Sequence, residues 1–363
     1  MPSLFDPIKL GAIEASNRIL MAPLTRGRAT RDHVPTPLMK TYYAQRAGAG
    51  LIISEATGIS REGLGWPFAP GLWSDAQVEG WKLVTQKVHA AGGHMVAQLW
   101  HMGRLVHPDL GGGQPLSSSA TTGPHHAHTY DGNKPYIEAR AATREDIARI
   151  VGDYGRAAAN AMRAGFDGIQ VHGANGYLVD QFLRAGANLR DDDYGGAIDN
   201  RLRFMTEVLE AIGAEIGMER VGIRFSPNIL SQGVDDPDPP ALYTAVAERL
   251  ELLGVPWIEL REPGPDSTFG NGATAPVSPA MRAHYSGVIA LNSDYVGDSA
   301  HARLDQGVAD AIAFGRTILA NPDLVERIRI GADLNEPDGN TFYTQGAEGY
   351  VDYPTLDGER AAA

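Results

Sequence analysis

Cysteine is absent from the 363 residues. That absence excludes disulfides, thiolate zinc sites, iron–sulfur clusters and a cysteine nucleophile. Basic residues are in the minority. The 31 Lys and Arg against 44 Asp and Glu leave a net charge of −13, and no Lys/Arg run builds the basic patch that a nucleic-acid binder needs. No apolar run approaches the roughly 18 residues of a membrane span. The opening Met1-Pro2-Ser3-Leu4-Phe5-Asp6 has neither the charged region nor the apolar stretch of a secretory signal. At 43% hydrophobic and 21% charged, the composition is that of ordinary globular material. These features predict a soluble, intracellular protein, cytoplasmic in location, that binds neither nucleic acid nor membrane.

What is present is a rhythm. Eight short runs rich in Ile, Val and Leu occur at 19–22, 51–54, 95–99, 168–171, 221–225, 257–260, 288–291 and 311–314. Each has strand length and is bounded by Gly, Pro or polar residues. Helix-period segments alternate with them, at 37–46, 75–91, 143–164, 200–216, 240–253, 279–284, 300–306 and 322–330. Trp81, Val84, Val88 and Ala91 share one helical face. Thr143 has the chemistry of an N-cap with acids following, and Asn321-Pro322 reads as a cap with Pro at N1. Strand then helix, eight times, predicts a parallel sheet closed into a (β/α)8 TIM barrel of about 250 residues. The surplus has homes: a hairpin around Gly11 plugging the barrel floor, a capping excursion at 100–142, and a loop-like tail from about Asn335. Residues 1–363 thus read as one barrel domain. An open doubly wound sheet is the alternative, but no Gly-rich fingerprint follows the first strand.

Barrel active sites lie at the C-terminal strand ends, and those ends are polar here. Gln98 and Arg224 stand within strands, where burying them unpaired costs several kcal/mol. Gly315-Arg316 after the last strand suits a phosphate, the Gly for close backbone approach and the Arg for its fork of donors; the Asn292 loop adds to this. After the fourth strand, His172, Asn175 and Tyr177 supply two N–H donors to polarise a carbonyl and a phenol to give a proton. Other clusters read as bland. His125-His126-x-His128 is a loop rather than a metal site, and the aspartates at 191–193 and 235–238 are solvated. Glu55, Glu259 and Glu262 keep a carboxylate-pair hydrolase open.

In this order, the segments Met21-Ala22-Pro23-Leu24-Thr25-Arg26, Gln98-Leu99-Trp100-His101-Met102-Gly103-Arg104, His172-Gly173-Ala174-Asn175-Gly176-Tyr177-Leu178, Tyr194-Gly195-Gly196 and Phe314-Gly315-Arg316 resemble the old yellow enzyme family of FMN-dependent ene-reductases. Trp66, His128-Thr129-Tyr130-Asp131-Gly132 and Tyr343-Thr344-Gln345-Gly346 look most like the nicotinamide-dependent cyclohexenone reductase type. The resemblance spans nearly the whole chain. It implies noncovalent FMN, NADPH or NADH as hydride donor, small-molecule substrates, a monomer or homodimer, and ping-pong reduction of the activated C=C bond of enones and of nitro compounds. Thr25 would bond the flavin carbonyl, with Pro23, Leu24 and Ala56 lining the ring and Gln98 and Arg224 at its pyrimidine edge. Asn292, Ser293, Gly315 and Arg316 would hold the phosphate. His172 and Asn175 would bind the substrate oxygen, and Tyr177 would protonate after hydride transfer from flavin N5. Trp66, Trp100, Phe269 and Tyr343 would shape the pocket. Many members carry His where this chain has Asn175. An oxidative flavin dehydrogenase and a non-catalytic flavin carrier are the other readings.

Overall fold

A computed structural model of the chain describes residues 2–263, 267 and 272–358. Eight parallel strands close into a barrel: β1 (Ile19–Met21), β2 (Leu51–Ile53), β3 (Met95–Trp100), β4 (Gly168–His172), β5 (Val221–Phe225), β6 (Trp257–Arg261), β7 (Val288–Asn292) and β8 (Ala311–Phe314). Each pairs with the next, and β8 returns to β1. All eight predicted runs are strands, to within a residue or two at their ends. They were legible because parallel strands are buried on both faces and so read as unbroken apolar runs.

The helices wrap the outside: α1 (Pro37–Ala44), α2 (Asp75–Ala90), α3 (Arg144–Arg163), α4 (Leu178–Leu183), α5 (Ile198–Ile216), α6 (Pro239–Leu253), α7 (Ser278–His284), α8 (Gly297–Asp305), α9 (Arg316–Ala320) and α10 (Leu324–Ile330). Ser74 caps α2 and Thr143 caps α3, each in a reciprocal box with the residue three further on. Val78, Trp81, Val84 and Val88 form the buried face of α2, whereas Ala91 lies past the helix end and is exposed. The Asn321-Pro322 cap is a correction. The last helix opens at Leu324, and the Asn321 amide instead holds the carbonyls of Thr317 and Asn335. The Asp236 side chain is a second one: it is buried, paired with Arg201, and accepts from the Ala185 N–H.

The floor is closed by an antiparallel hairpin, Ile8–Leu10 with Ile13–Ala15. Gly11 turns it at φ +63°, and a Cβ there would sit 2.0 Å from the Glu219 carbonyl oxygen, so only Gly fits. Leu10, Ile13 and Ala15 pack with Leu20, Leu51, Val96 and Trp257 inside the barrel. Between β3 and α3 the excursion carries two 3-10 turns and a hairpin, His126–Thr129 with Gly132–Pro135. The tail is pinned back on the loop after β1. Arg26 and Arg28 donate to the carbonyls of Phe342, Gly349 and Thr341, and Tyr350 stacks on Tyr42 with centroids 4.1 Å apart.

Among the described residues, no helix is long and apolar enough to cross a membrane.

Candidate active site

Inside the barrel, side chains from five neighbouring strands join hands. Gln98 Nε2 of β3 donates to Gln170 Oε1 of β4 at 2.7 Å, and Gln170 Nε2 donates to Glu259 Oε2 of β6 at 2.8 Å. Glu259 Oε1 lies 3.2 Å from Arg224 Nε of β5, and Arg224 donates to Asn292 Oδ1 of β7 at 2.7 Å. The span from β4 to β6 crosses β5 at Gly222. Trp257 lies over that position: a Cβ on Gly222 would be 2.2 Å from its ring. Burial pushes the Glu259 carboxyl up; Arg224 and Gln170 pull it back.

Above this network, at the C-terminal strand ends, opens a cavity of about 470 Å³. Pro23, Leu24 and Thr25 enter it from the loop after β1. Arg224 and Arg261 enter from β5 and β6, Asn292 and Ser293 from the end of β7, and Gly315 and Arg316 from the end of β8. Arg316 donates to Asp294 at 2.7 Å. Trp66, Trp100 and Tyr343 line the cavity as well. Trp66 packs between His128, at 4.6 Å, and Tyr343, at 5.2 Å. Arg26, Arg224, Arg261 and Arg316 thus line the cavity against one carboxylate, Asp294, in a chain of net charge −13, a local field that favours an anion.

The turn after β4 builds the other wall. Asn175 is in the left-handed conformation at φ +58°, a region Asn tolerates better than most residues. Its N–H donates to Ser226 Oγ at 2.8 Å. The Gly176 peptide that follows is clamped from both sides by α4. Its N–H donates to Asp180 and its carbonyl accepts from Gln181. Tyr177 emerges with its ring edge-on to His172, at 4.8 Å, and to Trp100, at 4.9 Å. His172 Nδ1 accepts from the Ala174 N–H, which leaves the ring proton on Nε2. Burial and nearby Arg224 hold the His172 ring well below the usual histidine range, so it is a neutral donor. Burial likewise pushes the Tyr177 hydroxyl well above the usual phenol range.

Most of the residues expected from sequence are brought together here. Ala56, Gln98 and His172 are nearly fully buried and do not line the cavity. Gln98 reaches it through the polar network, His172 adjoins it through Tyr177, and Ala56 packs in the cluster that contains Trp100. Phe269 lies outside the described residues. Arg261 was missed as a site residue. It stands two positions after Glu259, so strand alternation aims both inward. Its pKa is lowered to about 10 by burial and by Arg224.

The carboxylate-pair alternative has no free carboxylate. Glu55 accepts from the Arg26 and Gly27 N–H groups and from the Tyr43 hydroxyl. Glu262 accepts from the Val277 and Ser278 N–H groups, and Glu259 belongs to the network above. His125, His126 and His128 line the cavity, but no group of three or more metal-ligating side chains is poised for an ion among the described residues.

Comparison with known proteins agrees with the geometry. Residues 3–335 match the NADH:flavin oxidoreductase / NADH oxidase family. The chain is 41% identical to a putative 12-oxophytodienoate reductase 3 of Oryza sativa subsp. japonica, over 98% of this chain and 93% of that protein. It is 41% identical to a probable flavin mononucleotide-dependent alkene reductase of Leishmania infantum, over 97% of each. The solved old yellow enzyme homologue from Zymomonas mobilis superposes with a TM-score of 0.97 at 54% identity, covering 98% of this chain and 100% of that one. The chain therefore belongs to the NADH:flavin oxidoreductase / NADH oxidase family, as an oxidoreductase of the old yellow enzyme kind.

Proposed function

We propose that this enzyme uses FMN and a reduced nicotinamide to reduce the activated C=C bond of α,β-unsaturated carbonyl compounds and nitroalkenes, with Tyr177 as proton donor. The observation that carries the reading is the β4 turn: a neutral His172 Nε2–H, the Asn175 amide and the Tyr177 hydroxyl within one turn beside a cationic cavity.

The residues present fit FMN. Arg316, Gly315, Asn292 and Ser293 meet at one end of the cavity and would hold the phosphate, the guanidinium supplying charge-assisted donors. Arg224, Thr25, Pro23 and Leu24 would hold the ring, with Gln98 and Ala56 supporting from behind. When bound, FMN carries the hydride between nicotinamide and substrate.

The remaining work belongs to the chain. His172 and Asn175 donate N–H groups to the substrate oxygen, where negative charge grows once Cβ has received hydride. The Tyr177 phenol is neutral at pH 7 by its ordinary pKa near 10, burial raises that pKa further, and the hydroxyl gives its proton to Cα. Trp66 and Tyr343 form part of the apolar wall of the cavity. One cavity serving nicotinamide and substrate in turn gives ping-pong kinetics.

Stopped-flow measurement of the separate half-reactions tests this. Tyr177→Phe should leave flavin reduction by NADPH near wild type and slow reoxidation by cyclohexenone about 10²–10⁴-fold, the range of a positioned acid. Reoxidation at the wild-type rate would remove Tyr177 from the proton step.

A further inference from the structure

The Asn175 side chain has two unlike ends. Its oxygen only accepts, and its nitrogen donates twice. Whichever end faces the cavity decides whether Asn175 can stabilise an oxyanion or would repel one. Nothing on the β4 turn fixes that choice, because the Ser226 contact engages the Asn175 backbone N–H and not the amide. The choice is made from β6. Arg261 NH1 lies 2.8 Å from Asn175 Oδ1, and Arg261 lines the same cavity. A guanidinium has five donors and no acceptor. A flipped amide would set N–H against N–H and lose this hydrogen bond.

We propose that Arg261 is the positioning residue that holds Asn175 with its N–H2 facing the cavity, making the Asn175–Arg261 pair one unit of oxyanion recognition. The inference rests on the function proposed above and adds to it the reason an amide serves at this position. An amide without such a partner is free to present either end. The cation also polarises the amide, which strengthens its remaining N–H donors.

The test uses the FMN-loaded enzyme and para-chlorophenol, which as a phenolate over oxidised flavin gives a broad long-wavelength absorbance band. Arg261→Met should weaken phenolate binding about tenfold, the scale of a hydrogen bond to a charged group. In an Asn175→Ala background the same substitution should change affinity less than about twofold, because the group it positions is gone. Arg261→Lys keeps a donor-only cation and should stay within about threefold of wild type. A tenfold loss that persists in the Asn175→Ala background would overturn the proposal, showing that the Arg261 charge acts on the ligand directly. Unchanged binding in Arg261→Met would overturn it as well. Should the Met variant fail to retain flavin, the Lys variant decides: binding as weak as in Asn175→Ala overturns the proposal. Failure of the underlying reading looks different, since the wild-type enzyme itself would then give no band.

Discussion

The inner wall of the barrel is divided. From β3 to β7 it carries an amide, a second amide, an arginine, a carboxylate and a third amide, joined by contacts of 2.7–3.2 Å. Across from them β8, β1 and β2 carry Ala311, Ala313, Leu20, Leu51 and Ile53, which pack with the floor hairpin and with Val96, Trp257 and Ala290 from β3, β6 and β7. Both halves are buried to the same degree, yet they do different work. The apolar half is held by burial alone and tolerates small changes of shape. The polar half is stable only when every member keeps its partner, so its side chains have one arrangement. That arrangement sets Arg224 and Asn292 at the cavity. The difference teaches where to look in such a barrel: the polar strands bring Arg224, Arg261 and Asn292 to the cavity from within the barrel wall, whereas β1 and β8 reach it through the residues that follow them, Pro23 to Thr25 and Gly315-Arg316.

Breaking the polar half should therefore cost most. Glu259→Leu leaves Arg224 without its counter-charge and Gln170 without its acceptor. We expect a loss of about 3–5 kcal/mol in urea unfolding, as for other buried pairs missing one member; a loss below 1 kcal/mol would show that the network is not what holds this wall. Next in size is the phosphate end. Arg316→Ala should weaken FMN binding by about 1.5–3 kcal/mol by fluorescence titration, the scale of a charge-assisted hydrogen bond, and unchanged affinity would move the phosphate elsewhere.

A smaller effect follows from protonation. His101, just past β3, accepts the Gly103 N–H on Nδ1, and burial lowers its pKa to about 3. Once unfolded, the ring takes up a proton below about pH 6.5, while in the fold it stays neutral down to about 3. The unfolded state thus binds more protons in that window, and stability falls as pH falls. Between pH 7.5 and 5.5 the wild type should lose about 1.4 kcal/mol more than His101→Asn. Parallel pH profiles would contradict this. Smallest is the apolar half, where Ile53→Val should cost about 0.5–1.5 kcal/mol and leave FMN affinity unchanged. A weakened FMN affinity in that variant would erase the contrast between the halves.

Much of this was legible in the sequence, for physical reasons that also mark its limits. The strands showed as apolar runs, and Gln98 and Arg224 stood out as polar residues inside them. The short helix α4 did not show, because all of its residues are buried and leave no amphipathic contrast. The Asn321 cap failed because its amide found better partners in the tail, a contact between distant segments. His172 and Asn175 were visible as donors. The ring tautomer of one and the amide orientation of the other depend on Ala174 and Arg261, and only the fold brings Arg261 to Asn175.

The central claim is that one cavity serves a reduced nicotinamide and then an enone. An anaerobic titration of the purified FMN-loaded enzyme, followed by visible absorbance, tests it most directly. The account predicts that NADPH or NADH bleaches the yellow colour and that cyclohexenone then restores it without oxygen. An enzyme that bleaches but stays colourless on adding the enone would contradict it.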